Sequence, residues 1–164
     1  MKTHIISILC LLLLQSCIIS KQPNIAFFDN PYYDFGDAEF TSVNVPVWLA
    51  KPFVAKALRE DGESEEVIAL IKKIKKIRVL TVENGDKKML ADFSKYLNQN
   101  QYEDWVTVVH DGNKVNIQVL QDGEKINKLM LLVSENHQFV FVDIKGKFTA
   151  EDISNVVNAA TNPE

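Results

Sequence analysis

Cys17 is the residue whose position most clearly implies a chemical reaction. It closes an apolar run, LLLLQSC at residues 11–17, near the start of a 164-residue chain. Lys2 precedes the run, and the mostly apolar stretch Ile5–Leu14 is shorter than the roughly 20 residues that a membrane-spanning helix needs. Such a segment is typical of a signal peptide that is removed from the mature chain. We therefore predict cleavage after Ser16, which makes Cys17 the first residue of the mature chain.

The ending Leu14-Gln15-Ser16-Cys17 resembles the lipobox of bacterial lipoproteins. In that class of signal the cysteine thiol is alkylated with diacylglycerol, and the peptide is then cut immediately before the cysteine. The resemblance implies an exported protein that acyl chains on Cys17 hold at a membrane. The alternative is a buried helix or an uncleaved anchor that happens to contain a cysteine. The N-terminal position and the polar residues 20–23 that follow favour the signal.

The two cysteines of the chain are consistent with this interpretation. Cys10 would leave with the signal and Cys17 would become a thioether, so we expect no disulfide in the mature protein. We divide the chain into a lipoprotein signal peptide at 1–16, a lipidated, aromatic-rich tether at 17–39 and a single α+β domain at 40–164. The formal net charge of −4 argues against nucleic acid as a partner and against a general attraction to anionic lipid.

Apolar periodicity predicts an α+β fold with a mostly antiparallel sheet and with helices packed on one face. A four-strand C-terminal meander is predicted, with one or two strands before it. The predicted meander strands are Trp105–His110, Lys114–Leu120, Ile126–Val133 and Phe139–Ile144, and the earlier strands lie at about 43–48 and at Ile77–Val82. The predicted helices are Pro52–Arg59, a helix that Ser64 caps, Asp86–Asn98 and a helix that Thr149 caps.

A basic run is predicted to occupy the last turn of the helix that Ser64 caps. It consists of Lys72, Lys73, Lys75 and Lys76. Positive charge at that position complements the helix dipole. The run could contact phospholipid or another polyanion, but we favour a solvated helix face.

The rest of the chain contains no catalytic motif that we recognise: it has no glycine-rich phosphate loop, nucleophile elbow or His-Glu-x-x-His. His110 and His137 are predicted at one end of the sheet, two or three strands apart. At about 4.8 Å per strand the separation is roughly 10–14 Å, too far for two imidazoles to share a zinc ion. We therefore expect no catalytic residue, no metal site and no cofactor.

Strand alternation predicts a possible partner surface on the sheet. If Val106, Val108 and the aliphatic residues of the last strand face the core, aromatic rings gather on the outer face. Those rings are Trp105, Phe139 and Phe141. We expect the tether aromatics to cover part of them, or the rings to form a site for an envelope protein partner. The tether aromatics are Phe27, Phe28, Tyr32 and Tyr33.

Several phrases resemble a family of small Gram-negative lipoproteins that is catalogued as domain-of-unknown-function family 4252. The phrases are SVNVPVWLA, LIKKIKKIRVLTVEN, YEDWVTV and GKFTAEDISNVV, and the resemblance covers about residues 40–160. It implies an exported lipoprotein with no assigned activity and no established ligand, and it suggests a link to envelope stress.

We therefore expect a lipid-anchored cell-envelope protein that acts as a non-enzymatic binding or envelope-stress-related module. The alternative is a small periplasmic enzyme with no recognisable motif. Ile18, rather than an aspartate, follows Cys17, which favours the outer membrane with the domain facing the periplasm. The sequence leaves the oligomeric state open.

Overall fold

A computed structural model describes residues 19–60, 62, 65–110, 113–135 and 138–161. These residues form an α+β fold of seven strands and four helices. The strands are β1 (Ile19–Ser20), β2 (Glu39–Val45), β3 (Ile74–Glu83), β4 (Glu103–His110), β5 (Asn113–Asp122), β6 (Lys125–Glu135) and β7 (Gln138–Phe148). The helices are α1 (Val47–Glu60), α2 (Glu65–Lys73), α3 (Lys87–Gln99) and α4 (Ala150–Thr161).

All the strands belong to one antiparallel sheet with the order β1-β2-β3-β7-β6-β5-β4. The C-terminal meander from β4 to β7 is confirmed, and β3 joins it by pairing with β7. Three strands rather than one or two precede the meander. The additional strand is β1, whose two residues are too few for alternation to reveal it.

Helices cover both faces of the sheet, which corrects the prediction of helices on one face. We call the two sides the α3 face and the α2 face. On the α3 face, α3 and residues 25–40 pack against Leu80, Val82, Met130, Phe139 and Phe141. On the α2 face, α1, α2 and α4 contribute to a second core, formed by Val47, Leu70, Ile74, Val119, Ile126, Leu129, Phe148 and Ile153.

The composition of β7 explains why one layer of helices is not enough. Phe139 and Phe141 point to the α3 face, whereas Val140, Val142 and Ile144 alternate with them and point to the α2 face. A strand that is apolar on both sides must be covered on both sides. The prediction treated the two aromatic positions as the solvent side, and the structure buries them.

The N-terminal segment also needs a correction, because residues 19–39 are not a tether beside the domain. Ile19 pairs with Val43 in the sheet. Ile25, Phe27 and Phe28 are buried in the core of the α3 face. The boundary predicted at residue 40 therefore cuts through one hydrophobic core.

Two element boundaries differ from their prediction for local reasons. Pro46 has no N–H and cannot extend the β2 ladder; instead its carbonyl accepts from the N–H groups of Leu49 and Ala50, and α1 begins at Val47. Helix α2 ends at Lys73, and Ile74 already belongs to β3. Apolar residues at 71, 74 and 77 suit a helix, so periodicity hid the change to a strand. Lys75 and Lys76 consequently lie on β3.

Two predicted helix starts are confirmed by their hydrogen bonds. Asp86 caps α3, since its Oδ1 accepts from the N–H of Met89 at 2.7 Å. Thr149 and Asp152 form a capping box at α4: the hydroxyl of Thr149 accepts from the N–H of Asp152 at 3.2 Å, and Asp152 accepts from the N–H of Thr149 at 2.8 Å. Ser64 lies outside the described residues.

Candidate functional site

The predicted lipidation and cleavage residues lie outside the described part of the chain, which begins at Ile19. Cys17 precedes Ile19 by two residues, so chain geometry limits their separation to about 7 Å. His137 is also outside the described residues.

The predicted partner surface is not assembled in the structure. Phe27, Phe28, Phe139 and Phe141 are all at most 5% exposed and form one core, so none of them offers a surface to a partner. Tyr33 is half-buried against Phe27, and Tyr32 is exposed. The segment does cover the sheet where it was expected to, because Phe28 contacts Phe141.

Trp105 is separated from those rings by the sheet itself. A register shift between Asp104 and Val106 interrupts the β4–β5 pairing at this residue. Such a shift breaks simple alternation, and Trp105 packs against the core of the α2 face, on the same side as Val106, instead of sharing a side with Thr107. It lines a groove of about 240 Å³ with Val106, Ile153, Ser154, Val157 and Asn158. These side chains include no titratable group, so the groove lacks its own acid or base.

A buried ion pair lies on the α3 face. The Nε and Nη2 atoms of Arg78 donate to Oδ2 of Asp143, whose side chain is 6% exposed. Nη1 of Arg78 donates to the carbonyl of Asn24 at 2.8 Å, and the Asn24 amide donates to the carbonyls of Val43 and Val79. Burial, with Asp143 nearby, raises the pKa of Tyr102 to about 12. This cluster holds the N-terminal segment on the sheet.

The start of β1 defines a corner of the molecule. Ile19 pairs with Val43, Val45 pairs with Ile77, and α1 begins at Val47, so these residues share one end of the sheet. We call this region the β1 corner. It is the part of the described structure nearest to Cys17.

Helix α1 presents an apolar surface to solvent at the β1 corner. Trp48 is 79% exposed, Phe53 69% and Leu49 49%. With Pro52, which is also exposed, they cover an arc of about 140° over the first two turns of the helix, at 100° per residue. Later positions of the exposed side carry Lys56, Arg59 and Glu60. The apolar part of the surface is therefore the N-terminal part of the helix, which follows β2 at the β1 corner.

Lysines line the same end of the sheet. Lys145 on β7 lies directly opposite Lys76 on β3 and opposite Lys128 on β6, which places three positive charges on adjacent strands about 4.8 Å apart. Alternation puts this lysine row on the α3 face. Like charges in directly opposed positions destabilise a sheet, so an anion at the row would relieve the repulsion.

The α2 face is basic at this end as well. Lys51 reaches from α1 to the carbonyl of Lys72 at 2.8 Å, and Lys72 is exposed. Of the acids on this end, Asp152 is bound to Lys73 at 2.6 Å, and Glu151 beside it is exposed. The acids on the β4–β5 side, next to the β6 end of the lysine row, are Glu103, Asp122 and Glu124. The end of the sheet around β3 and β7 is thus basic, although the overall charge is negative.

Other candidate chemistry is sparse within the described ranges. In that part of the chain no group of three or more His, Cys, Asp or Glu side chains is arranged to hold a metal ion. Over the same residues, no helix combines the length and the apolar character needed to cross a membrane. What the described residues offer is a surface of mixed apolar and basic character.

The fold defines a class: a small α+β protein with a seven-stranded antiparallel sheet covered by helices on both faces. The chain belongs to the family described as Domain of unknown function (DUF4252), which matches residues 32–156. The family predicted from the sequence is thereby confirmed. No curated protein and no solved structure matches the chain significantly. The family match begins after Phe28, although the fold uses that residue in its core.

Sequence reasoning missed the two features that make this end of the sheet distinctive, the apolar face of α1 and the lysine row. Trp48 was assigned to the end of a strand, which hid the spacing of Trp48, Pro52 and Phe53 on a single helix. The lysine row joins residues 76, 128 and 145, and only the strand register brings them together. The local signal for the helical position of Trp48 was Pro46, because proline is common where a helix begins.

Proposed function

We propose that this protein is an exported, lipid-anchored component of a bacterial cell envelope, and that it acts as a non-enzymatic binding module. The observation that carries the proposal is the sequence Leu14-Gln15-Ser16-Cys17 at the end of a short apolar run. A thioether at Cys17 would supply acyl chains, and about 0.8 kcal/mol per buried methylene makes two or three chains a stable anchor.

The structure supports an anchor of this kind through its spacing. Strand β1 begins at Ile19, so a single residue, Ile18, separates the lipidated cysteine from the folded sheet. The domain would be held against the membrane, with its β1 corner nearest to the lipid. Because a surface rather than a deep cleft is exposed at this corner, the arrangement favours binding over catalysis.

Metabolic labelling with an alkyne analogue of palmitate tests the anchor. The full chain, with a C-terminal tag, is expressed in a Gram-negative host, and Cys17→Ser is compared with the matched variant Cys10→Ser. We expect wild type and Cys10→Ser to carry label and Cys17→Ser to carry none. Equal labelling of Cys17→Ser, or an unlabelled wild type, would overturn the proposal.

The proposed location is the outer membrane, with the domain on the periplasmic side. Ile18 after the cysteine carries this part of the proposal, because an aspartate there is associated with retention in the inner membrane. Separation of the two membranes by density should place the protein in the outer-membrane fraction. Protease added to intact cells should spare it, and protease added after permeabilisation should digest it. Digestion in intact cells would place the domain on the cell surface instead.

A further inference from the structure

We propose that the apolar face of α1, formed by Trp48, Leu49, Pro52 and Phe53, inserts into the headgroup region of the membrane that holds Cys17. The lysines at the same end of the sheet, chiefly Lys76 and Lys145, then face anionic headgroups. The partner that binds at this corner is thus a lipid bilayer, which the acyl chains and α1 contact together. This inference rests on the proposed lipid anchor.

The first step of the argument is the character of the exposed residues. Trp48 is 79% exposed and Phe53 is 69% exposed. Contact of these apolar rings with water is unfavourable, and their transfer to an apolar environment would lower the free energy. Tryptophan concentrates at membrane–water interfaces, where its ring is in apolar surroundings and its N–H stays near water. A helix with one apolar side and a basic neighbourhood is the arrangement that lies in the plane of an interface.

The second step is position. Cys17 lies within about 7 Å of Ile19, and Ile19 pairs with Val43. Val47, where α1 begins, follows Val43 by four positions, which limits their separation to about 14 Å. Acyl chains on Cys17 would enter the bilayer, so the residues that begin α1 would be held within reach of its surface.

The third step is charge. Lys76, Lys128 and Lys145 form the row on the α3 face, and Lys72 is exposed beside α1 on the α2 face. Juxtaposed lysines attract a membrane that contains anionic lipid, over about one Debye length. The acids Glu103, Asp122 and Glu124 lie on the β4–β5 side of the sheet, next to Lys128 on β6. They therefore weaken the attraction least at Lys76 and Lys145, which are nearer to β1.

Quenching by brominated lipid tests the proposal, because the chain contains two tryptophans in different settings. Full-length lipidated protein is reconstituted into vesicles of phosphatidylcholine and phosphatidylglycerol, with or without bromine on the acyl chains. Trp105→Phe leaves Trp48 as the reporter, and Trp48→Phe leaves Trp105. We expect bromine to reduce Trp48 emission at least twofold and to leave Trp105 emission nearly unchanged. Absence of quenching at Trp48, or equal quenching of both residues, overturns the proposal.

A surface variant tests whether the apolar face itself is responsible. Phe53→Ser in the Trp105→Phe background should reduce the quenching of Trp48, since it removes an exposed ring without disturbing the core. The matched control is Tyr32→Ser, which removes an exposed ring from the segment on the α3 face. Circular dichroism verifies that both variants are folded. Unaltered quenching in folded Phe53→Ser contradicts the proposal.

The mass of the reconstituted protein shows whether Cys17 carries lipid. This measurement distinguishes a failure of the proposed lipid anchor from a failure of the proposed membrane contact of α1. If Cys17 carries no lipid, the anchor fails and the membrane-binding role of α1 fails with it. If Cys17 is lipidated and Trp48 is not quenched, only the role of α1 is wrong. In that case, a dimer in detergent that Phe53→Ser converts to a monomer would identify the face as an interface between two copies.

Discussion

Phe28, in the segment before β2, lies against Phe141 at the centre of the sheet, with their ring centroids 4.8 Å apart. Phe141 is fully buried, and Phe28 is 5% exposed. Phe93 on α3 contacts both rings, at 5.4 Å and 4.8 Å between centroids. Helix, segment and sheet therefore meet in one aromatic cluster, and the segment is needed to complete the core.

We predict that Phe28→Ala lowers the free energy of unfolding by about 3–5 kcal/mol, the usual cost of truncating a buried phenylalanine. The loss has two parts: the apolar area returned to water and the cavity left beside Phe141 and Phe93. Urea denaturation followed by circular dichroism measures it. Deletion of residues 19–39 should prevent folding altogether, because it removes β1 as well as the rings.

Tyr32→Ala is the matched control, since it truncates an aromatic of the same segment that is 93% exposed. Its effect should stay within about 0.5 kcal/mol, as for most surface substitutions. If Phe28→Ala were as harmless as Tyr32→Ala, the segment would not be packed on the sheet in solution.

The ion pair between Arg78 and Asp143 leads to a second prediction. Asp143→Ala leaves the Arg78 guanidinium partly buried without its carboxylate, and loss of one partner of a buried pair typically costs about 3–5 kcal/mol. Arg78 also donates to the carbonyl of Asn24. We therefore expect faster proteolysis of the N-terminal segment in this variant as well as a lower urea midpoint.

The double variant Arg78→Met/Asp143→Leu discriminates between a lost attraction and a stranded charge. An apolar pair of similar volume removes both charges, and such replacements are often neutral or stabilising. We expect the double variant to be more stable than Asp143→Ala alone. A double variant that is the less stable of the two would show that the pair contributes a net attraction.

Local signals in the sequence were sufficient for the meander and for two helix starts. The hairpin strands alternate clearly, and Asp86 and Thr149 stand three residues before the amide groups that they cap. The family was also recognisable from sequence phrases. These features depend on neighbours within a few residues, which is the range over which a sequence pattern acts directly.

The choice of faces depends on contacts that the sequence does not display. Alternation correctly grouped Val106 with Ile117, which are paired in the sheet. It could not show that Phe139 and Phe141 face a second layer, because that layer consists partly of residues 25–28, which precede β7 by more than a hundred positions. The lysine row likewise follows from the register of two strand pairs, β3–β7 and β6–β7, which the sequence does not display.

Gly146 provides a third prediction, at the contact between β7 and the end of α2. A Cβ atom at this position would lie 2.9 Å from the carbonyl oxygen of Lys73 and would collide with the ring of Phe148. Overpacking of this kind typically costs about 1–3 kcal/mol, and we expect Gly146→Ala to lose that amount in urea denaturation. Lys145→Ala, at the exposed neighbouring position, should change stability by less than about 0.5 kcal/mol. Equal effects would contradict the close approach.

Asp152 is the group whose titration should appear in the stability of the fold. Burial alone would raise the pKa of its carboxyl, but hydrogen bonds from Lys73 and Thr149 outweigh burial and hold the pKa below its ordinary value. Because the pKa is lower in the folded state, the stabilisation is complete above about pH 4, the unfolded value, and is lost as the pH falls through the folded value.

We predict that Asp152→Asn lowers the free energy of unfolding by about 1 kcal/mol at pH 7, since it weakens both the Lys73 bridge and the α4 cap. The difference from wild type should persist at pH 5 and shrink by pH 3, because protonation then removes the charge from wild type too. Urea denaturation at the three pH values measures it. Glu151→Gln, one position earlier and exposed, is the control and should show a smaller difference throughout. A deficit in Asp152→Asn that stays constant from pH 7 to pH 3 would show that the carboxylate charge does not stabilise the junction of α2 and α4.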